Sequence, residues 1–125
     1  MSKGPDRAEL GALGERLAAE HLEQQGYRIV ERNFRCRMGE IDLIARRGNE
    51  LVFTEVKLRK DASHGEAREF VTGSKQRKLL LTAEYYLAAR PWAQDLRARF
   101  DVIEVYAPQG TEENCSIFHL ENAFS

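Results

Sequence analysis

GEIDLIARRGNELVFTEVKLR, residues 39–59, decides how this chain folds. Apolar and polar residues alternate on both sides of Gly48-Asn49, a pair suited to the positive φ angles of tight hairpin turns. With those two residues as the turn, Ile41 faces Val56, Leu43 faces Thr54 and Ala45 faces Val52, so one face of the hairpin is almost wholly apolar. The other face pairs Ile44 with Phe53, Asp42 with Glu55 and Glu40 with Lys57, because successive side chains point to opposite sides of a strand. That face passes from apolar to charged as it leaves the turn. A turn one residue longer would break the Asp42–Glu55 pairing.

Directly opposed residues have Cβ atoms only ~4.5–5.5 Å apart, and like charges there destabilise a sheet. Asp42 opposite Glu55 therefore wants a cation. A hard divalent ion, Mg²⁺ or Mn²⁺, takes oxygen ligands and tolerates one or two protein carboxylates while keeping several waters. Lys57 emerges on the same face, where it could position or help activate an attacking water, or stabilise charge developing on a phosphate. Phosphodiester hydrolysis needs this residue set. The competing explanation is an ion cluster in which Lys57 merely neutralises Asp42, Glu55 and Glu40.

Working outward, Asp6 and Glu9 make a D-x-x-E helix start, and Leu10, Leu13, Leu17 and Leu22 follow at roughly helical spacing until Gly26. Tyr27 to Phe34 reads as a strand, and Gly39 to Arg46 and Glu50 to Arg59 as the two hairpin strands. Lys60 to Gly73 is polar and reads as a loop crossing the molecule. Ser74 is placed to cap a second helix that runs to about Arg90 and is halted by Pro91. Phe100 to Tyr106 alternates as a fourth strand, and Ile117 to Leu120 supplies a short fifth. The order αβββαβ, with that extra C-terminal strand, predicts a mixed central sheet flanked by helices, an α/β fold. A chain of 125 residues fits one domain, with its core in about 6–106 and a strand or tail in 107–125.

Composition narrows the function classes. A content of 42% hydrophobic and 31% charged residues can bury a core and still cover a soluble surface, which excludes a disordered chain. No apolar run approaches the ~18 residues of a membrane span, and Met1 to Asp6 is no secretory signal, so a cytoplasmic protein away from membranes is expected. Cys36 and Cys115 stand far apart without neighbours at metal-ligand spacing, which argues against zinc or a disulfide framework. The net charge of −1 hides an asymmetry. Arg28 to Lys78 holds 13 basic and 8 acidic residues, the remainder 6 and 12. Screening limits surface charge to ~8 Å, so a polyanion would feel the basic middle more than the total.

The string Gly39-Glu-Ile-Asp-Leu-Ile-Ala45 followed by Phe53-Thr-Glu-Val-Lys57 resembles the PD-(D/E)xK nuclease signature, with Ile41 where its proline usually stands. More narrowly, Gly11-Ala-Leu-Gly-Glu15, Asn33, the two hairpin segments, a lysine-bearing second helix and Arg99-Phe-Asp-Val-Ile103 resemble the YraN-like family, over about residues 11–106. That family is similar to archaeal Holliday-junction resolvases. The resemblance implies a restriction-endonuclease-like core and Mg²⁺- or Mn²⁺-dependent action on DNA, with branched DNA as one substrate. It also implies a homodimer, since symmetric cutting needs two sites. In this superfamily a glutamate of the first helix commonly joins the metal site; Glu15 takes that place here, with Glu20 as the weaker substitute.

Nucleic-acid contacts are expected from Lys75, which matches a family lysine, from Arg77 and Lys78 beside it on the second helix, and from Arg37. Tyr85, Tyr86 and Trp92 could stack on bases, but their helical spacing near a leucine-rich run favours core packing. His21, His64 and His119 are scattered; His64, in the polar loop, could approach substrate, but a surface place suits it better, and Asp101 reads as structural or as part of strand-end ion pairing. Two other functions stay open: a nucleic-acid-binding module with little or no catalysis, and a protein-interaction domain whose carboxylates only stabilise the hairpin.

Overall fold

The computed structural model describes residues 6–60 and 73–124. The elements run α1 (Arg7–Gln24), β1 (Arg28–Cys36), β2 (Gly39–Arg47), β3 (Glu50–Arg59), α2 (Gly73–Ala88), a short 3₁₀ helix (Pro91–Ala93), β4 (Arg97–Tyr106) and β5 (Ser116–Leu120). The five strands form one mixed sheet in sequence order, antiparallel except where β3 and β4 pair in parallel. The mixed α/β fold expected from the order of elements is therefore present. No described helix is long and apolar enough to cross a membrane, and Cys36 and Cys115 are unpaired. The expected loop from Lys60 to Gly73, with His64, lies for the most part outside the described residues.

Asp6 caps α1, its side chain accepting from the Glu9 amide at 2.9 Å. That bond satisfies one of the amides a helix start leaves without an intrahelical partner. Leu17, Ala18, Ala19 and Leu22 of α1 bury one face of the sheet with Leu43, Ala45, Val52, Ile103 and Val105. The opposite face packs on α2, where Leu79, Ala83 and Tyr86 meet Ile44, Leu51, Phe53, Phe100 and Val102. Cover on both faces explains why Leu51-Val-Phe53 and Val102-Ile103 are continuous apolar runs. α2 begins at Gly73, so Ser74 sits inside its first turn instead of capping it. The 3₁₀ helix at Pro91 had no counterpart in the expected elements.

The hairpin has the register expected for a two-residue turn: Arg47 pairs with Glu50, Ala45 with Val52, Ile44 with Phe53 and Leu43 with Thr54. Only Gly48 takes the positive φ, 61°, and Asn49 does not, the pattern of a turn with glycine at its first central position. Two details depart from strict alternation. The ladder ends at Leu43–Thr54, and Ile41, expected beside Leu43 and Val56, packs instead into the α2 layer. Both departures fall at the charged end, where β2 and β3 carry Asp42 and Glu55.

Candidate active site at the open end of the hairpin

In a regular antiparallel ladder every second pair exchanges both backbone bonds. Counting outward from Arg47–Glu50, the next such pair after Leu43–Thr54 would be Ile41–Val56. The Val56 amide donates instead to Asp42 Oδ2 at 2.8 Å. A side chain has taken the place of the facing backbone, and the two strands part there. Into that opening the structure sets a cavity of about 260 Å³ lined by Glu40, Asp42, Glu55, Lys75, Lys78 and their neighbours Gly39 and Leu79.

The charges around it are unevenly matched. Glu55 is mostly buried, and its Oε1 lies 2.8 Å from Lys75 Nζ and 3.8 Å from Lys57 Nζ. Glu40, expected opposite Lys57, pairs instead with Arg35 across β1 at 3.3 Å. Asp42 has the Val56 amide and carboxylates around it. Burial first, and then the Glu55 charge, push the Asp42 carboxyl up to about 7, with Glu15 and Glu40 adding to the rise against the Val56 hydrogen bond. Burial and the adjoining Lys75 lower the Lys57 ammonium pKa, although Glu55 and Asp42 oppose them. An acid held near neutrality and a lysine with a weakened hold on its proton make a polarised site.

Two glycines set the spacing. A Cβ on Gly14 would stand 3.1 Å from Leu58 Cβ and 3.6 Å from Val56 Cγ1, so its absence lets α1 settle against β3 and brings Glu15 close enough for its charge to reach Asp42. A Cβ on Gly39 would meet Thr82 Oγ1 at 2.9 Å. Thr82 is buried and donates to the Lys78 carbonyl within α2 at 2.7 Å, so the start of β2 lies close against a side chain that is held in place.

The expected site residues divide. Asp42, Glu55, Lys75 and Lys78 line one cavity, with Lys57 against Glu55. Glu15 is tied to Asn33, whose Nδ2 donates to Oε2 at 3.0 Å, and among the described residues no three carboxylate, histidine or cysteine side chains converge as a ready metal site. The expected triad of Asp42, Glu55 and Glu15 is thus a close pair with a third carboxylate held to one side. Glu20 pairs with Arg16 at 3.2 Å on the surface. Arg77, about 200° around the helix from Lys75 at ~100° per residue, is exposed and does not line the cavity. Arg37 lines a neighbouring depression with Arg35, Cys36, Met38 and Tyr85.

Several residues escaped the sequence reading. Tyr86 is buried, as a core residue should be, but Tyr85 and Trp92 are about half exposed, at 51% and 47%. The buried stripe Leu79, Thr82, Ala83, Tyr86 carries the signal that could have separated the two tyrosines, since Tyr85 falls on its edge. On the α1 side, His119 Nε2 lies 2.6 Å from Asp101 Oδ2, and His21 Nε2 lies 3.1 Å from His119 Nδ1. Two histidines that stand far apart in the sequence therefore form a partly buried chain with Asp101. No local pattern announces a contact between residues 98 positions apart.

Comparison with known proteins places the chain. The model of the uncharacterised protein family UPF0102 matches residues 14–105. A UPF0102 protein of Caldicellulosiruptor saccharolyticus is 44% identical over 119 residues, covering 95% of this chain and 99% of the relative. One from Pelobacter propionicus is 47% identical over 122 residues, covering 96% and 85%, and one from Acinetobacter baumannii is 43% identical over 126 residues, covering 94% and 95%. The matched span includes Glu15, the whole hairpin, α2 and most of β4, and the chain belongs to the uncharacterised protein family UPF0102, the YraN-like family whose motif strings it carries.

Proposed function

We propose that this protein is a divalent-metal-dependent nuclease that hydrolyses phosphodiester bonds in DNA. One observation carries the reading: Asp42 and Glu55 stand beside each other where the hairpin opens, Asp42 with a single donor among the described residues and Glu55 against two lysines. Mg²⁺ or Mn²⁺ suits a pair of carboxylates with room for water, and Asp42 and Glu55 would hold it. Such an ion supplies Lewis-acid polarisation of a phosphate oxygen and a more acidic water. Lys57, with its lowered pKa, would orient the attacking water and steady the charge gathering on the phosphate. Lys75 and Lys78 would hold flanking phosphate oxygens, a backbone contact that carries little sequence information. Glu15 would act through its charge on Asp42. A cytoplasmic setting and cleavage of branched DNA belong to the same reading.

The 2.8 Å Lys75–Glu55 ion pair favours a second reading, a binding module whose own lysine occupies the cation position and which cleaves little. Linear duplex, single-stranded and four-way-junction DNA, offered with Mg²⁺ or Mn²⁺ to the native protein, Glu55→Ala and Lys57→Ala, separates the two. The nuclease predicts metal-dependent cleavage that falls by about 100-fold or more in each variant, the scale of losing one transition-state contact. Cleavage equal in all three proteins defeats the assignment, and salt-sensitive binding without cleavage selects the module.

A further inference from the structure

Beside the carboxylate cavity lies a second depression, of about 510 Å³, lined by Arg35, Cys36, Arg37, Met38 and Tyr85. The two are continuous along the chain, since Gly39 and Glu40 of the first follow directly on Met38 of the second. They are also neighbours along α2. Lys78, Thr82 and Tyr85 fall on one helical stripe; Gly39 crosses it at Thr82, with Lys78 one turn before and Tyr85 one turn after. Lys78 and Tyr85 are then separated by about 10 Å at ~1.5 Å per residue.

The lining has a definite chemistry. Tyr85 is 51% exposed, yet its ring is steadied by Phe34, 6.4 Å away between centroids. Phe34 in turn meets the buried Tyr86 edge-on at 5.1 Å. Arg37, at the tip of the β1–β2 turn, is exposed and makes no ion pair among the described residues. Among the described residues Arg35 has an exposed pair with Glu40, a kind of contact worth little. Among the described residues no carboxylate lines the depression. A supported aromatic face among arginines suits a base and its phosphates, and it suits an apolar peptide badly, for among the described residues Met38 is its one aliphatic wall.

We infer that this depression seats an unpaired nucleotide of a single-stranded polynucleotide, its base stacked on Tyr85 and its phosphates beside Arg37 and Arg35. Stacking needs an open base face, which a continuous duplex does not offer. The inference rests on the nuclease reading for its placement, and it narrows the substrate to DNA with unpaired nucleotides next to the cut.

Fluorescence anisotropy in EDTA, where no divalent ion supports cleavage, tests the inference. Labelled oligo-dT of twelve nucleotides and a blunt duplex of two separate strands are titrated with the native protein, Tyr85→Ala, Tyr85→Trp and Arg37→Ala. Expected is a loss of about fivefold or more on oligo-dT in Tyr85→Ala, less than twofold on the duplex, and retention in Tyr85→Trp. The same dependence with oligo-U supports the inference as well, the tighter ligand naming the sugar. Arg37→Ala should flatten the logarithmic salt dependence on oligo-dT by about one. Absence of oligo-dT binding, an unchanged Tyr85→Ala, or equal losses on both ligands overturns it. The two readings fail separately: cleavage sensitive to Lys57→Ala but single-strand binding indifferent to Tyr85 sinks only this inference. Tyr85-dependent binding with no cleavage sinks only the nuclease.

Discussion

Asp42 and Asp101 lie two strands apart in one sheet, both largely buried, and their surroundings push them in opposite directions. Asp101 is saturated. It receives Arg99 Nε and Nη2, each at 2.9 Å, His119 Nε2 at 2.6 Å and the Asn122 amide at 3.0 Å. Burial opposes its ionisation, but the His119 and Arg99 hydrogen bonds more than offset that and hold its pKa below the ordinary value. Among the described residues Asp42 accepts from the Val56 amide alone, and burial first, then the neighbouring carboxylates, lift its pKa to about 7. An aspartate with every lone pair answered is a joint in the structure, whereas one left short of donors and open to a cavity has chemistry to offer.

Breaking the saturated side should cost most. Asp101→Ala leaves Arg99 its Glu50, Glu121 and Tyr27 partners, but it takes the acceptor from His119 and the Asn122 amide and loosens β4 from β5; urea denaturation should show a loss of about 3–5 kcal/mol, the usual result of deleting one partner of a buried ion pair. A loss under about 1 kcal/mol would mean that the network adds little.

On the starved side the sign reverses. The folded protein keeps Asp42 protonated up to about pH 7 while the unfolded chain ionises it near its ordinary value of 3.8. The folded state binds the extra proton, so stability falls as pH rises through roughly 4 to 7 and then levels. Asp42→Asn cannot ionise, yet it keeps an oxygen for the Val56 amide. Its advantage over the native protein should grow from near zero at pH 4 to about 2 kcal/mol at pH 8 in EDTA, read as the difference between urea midpoints. Equal stabilities at pH 8 would show Asp42 to be well solvated.

Lys75→Ala sharpens the contrast further. Without the ammonium 2.8 Å from Glu55, the carboxylate pair repels more and should accept an added cation more readily. Mg²⁺ should then raise the melting temperature of Lys75→Ala by a few degrees more than that of the native protein, a shift worth about 1 kcal/mol; an equal or smaller rise contradicts competition for Glu55. The smallest effect belongs to Asn33→Gly, which frees Glu15 from its 3.0 Å hydrogen bond and tolerates the positive φ of 51° at that position. About 0.5–1 kcal/mol of stability should go, measured by the same urea titration, and no change would show that water replaces Asn33 fully.

Much of this was legible in the residue order. Gly48-Asn49 sets a two-residue turn, and that count alone places Leu43 opposite Thr54 and directs Asp42 and Glu55 to the same end. The Asp6 cap and the limits of β3 follow from equally local chemistry. The charged end was harder to read, because alternation assumes that a ladder continues. It could not foresee that the Asp42 side chain would take the Val56 amide, or that Ile41 would turn toward α2.

The sequence by itself determined the hairpin register from Arg47–Glu50 to Leu43–Thr54, the order of helices and strands, and the end of the hairpin to which Asp42 and Glu55 go, since turn geometry and side-chain period act between near neighbours in the chain. The tertiary structure alone decided which cation meets Glu55, how far Glu15 stands from the cavity, that Tyr85 opens to solvent while Tyr86 closes the core, and that His21 and His119 join Asp101. Those contacts link distant parts of the chain, and they depend on how two helices settle on opposite faces of a sheet, which packing governs and local pattern does not.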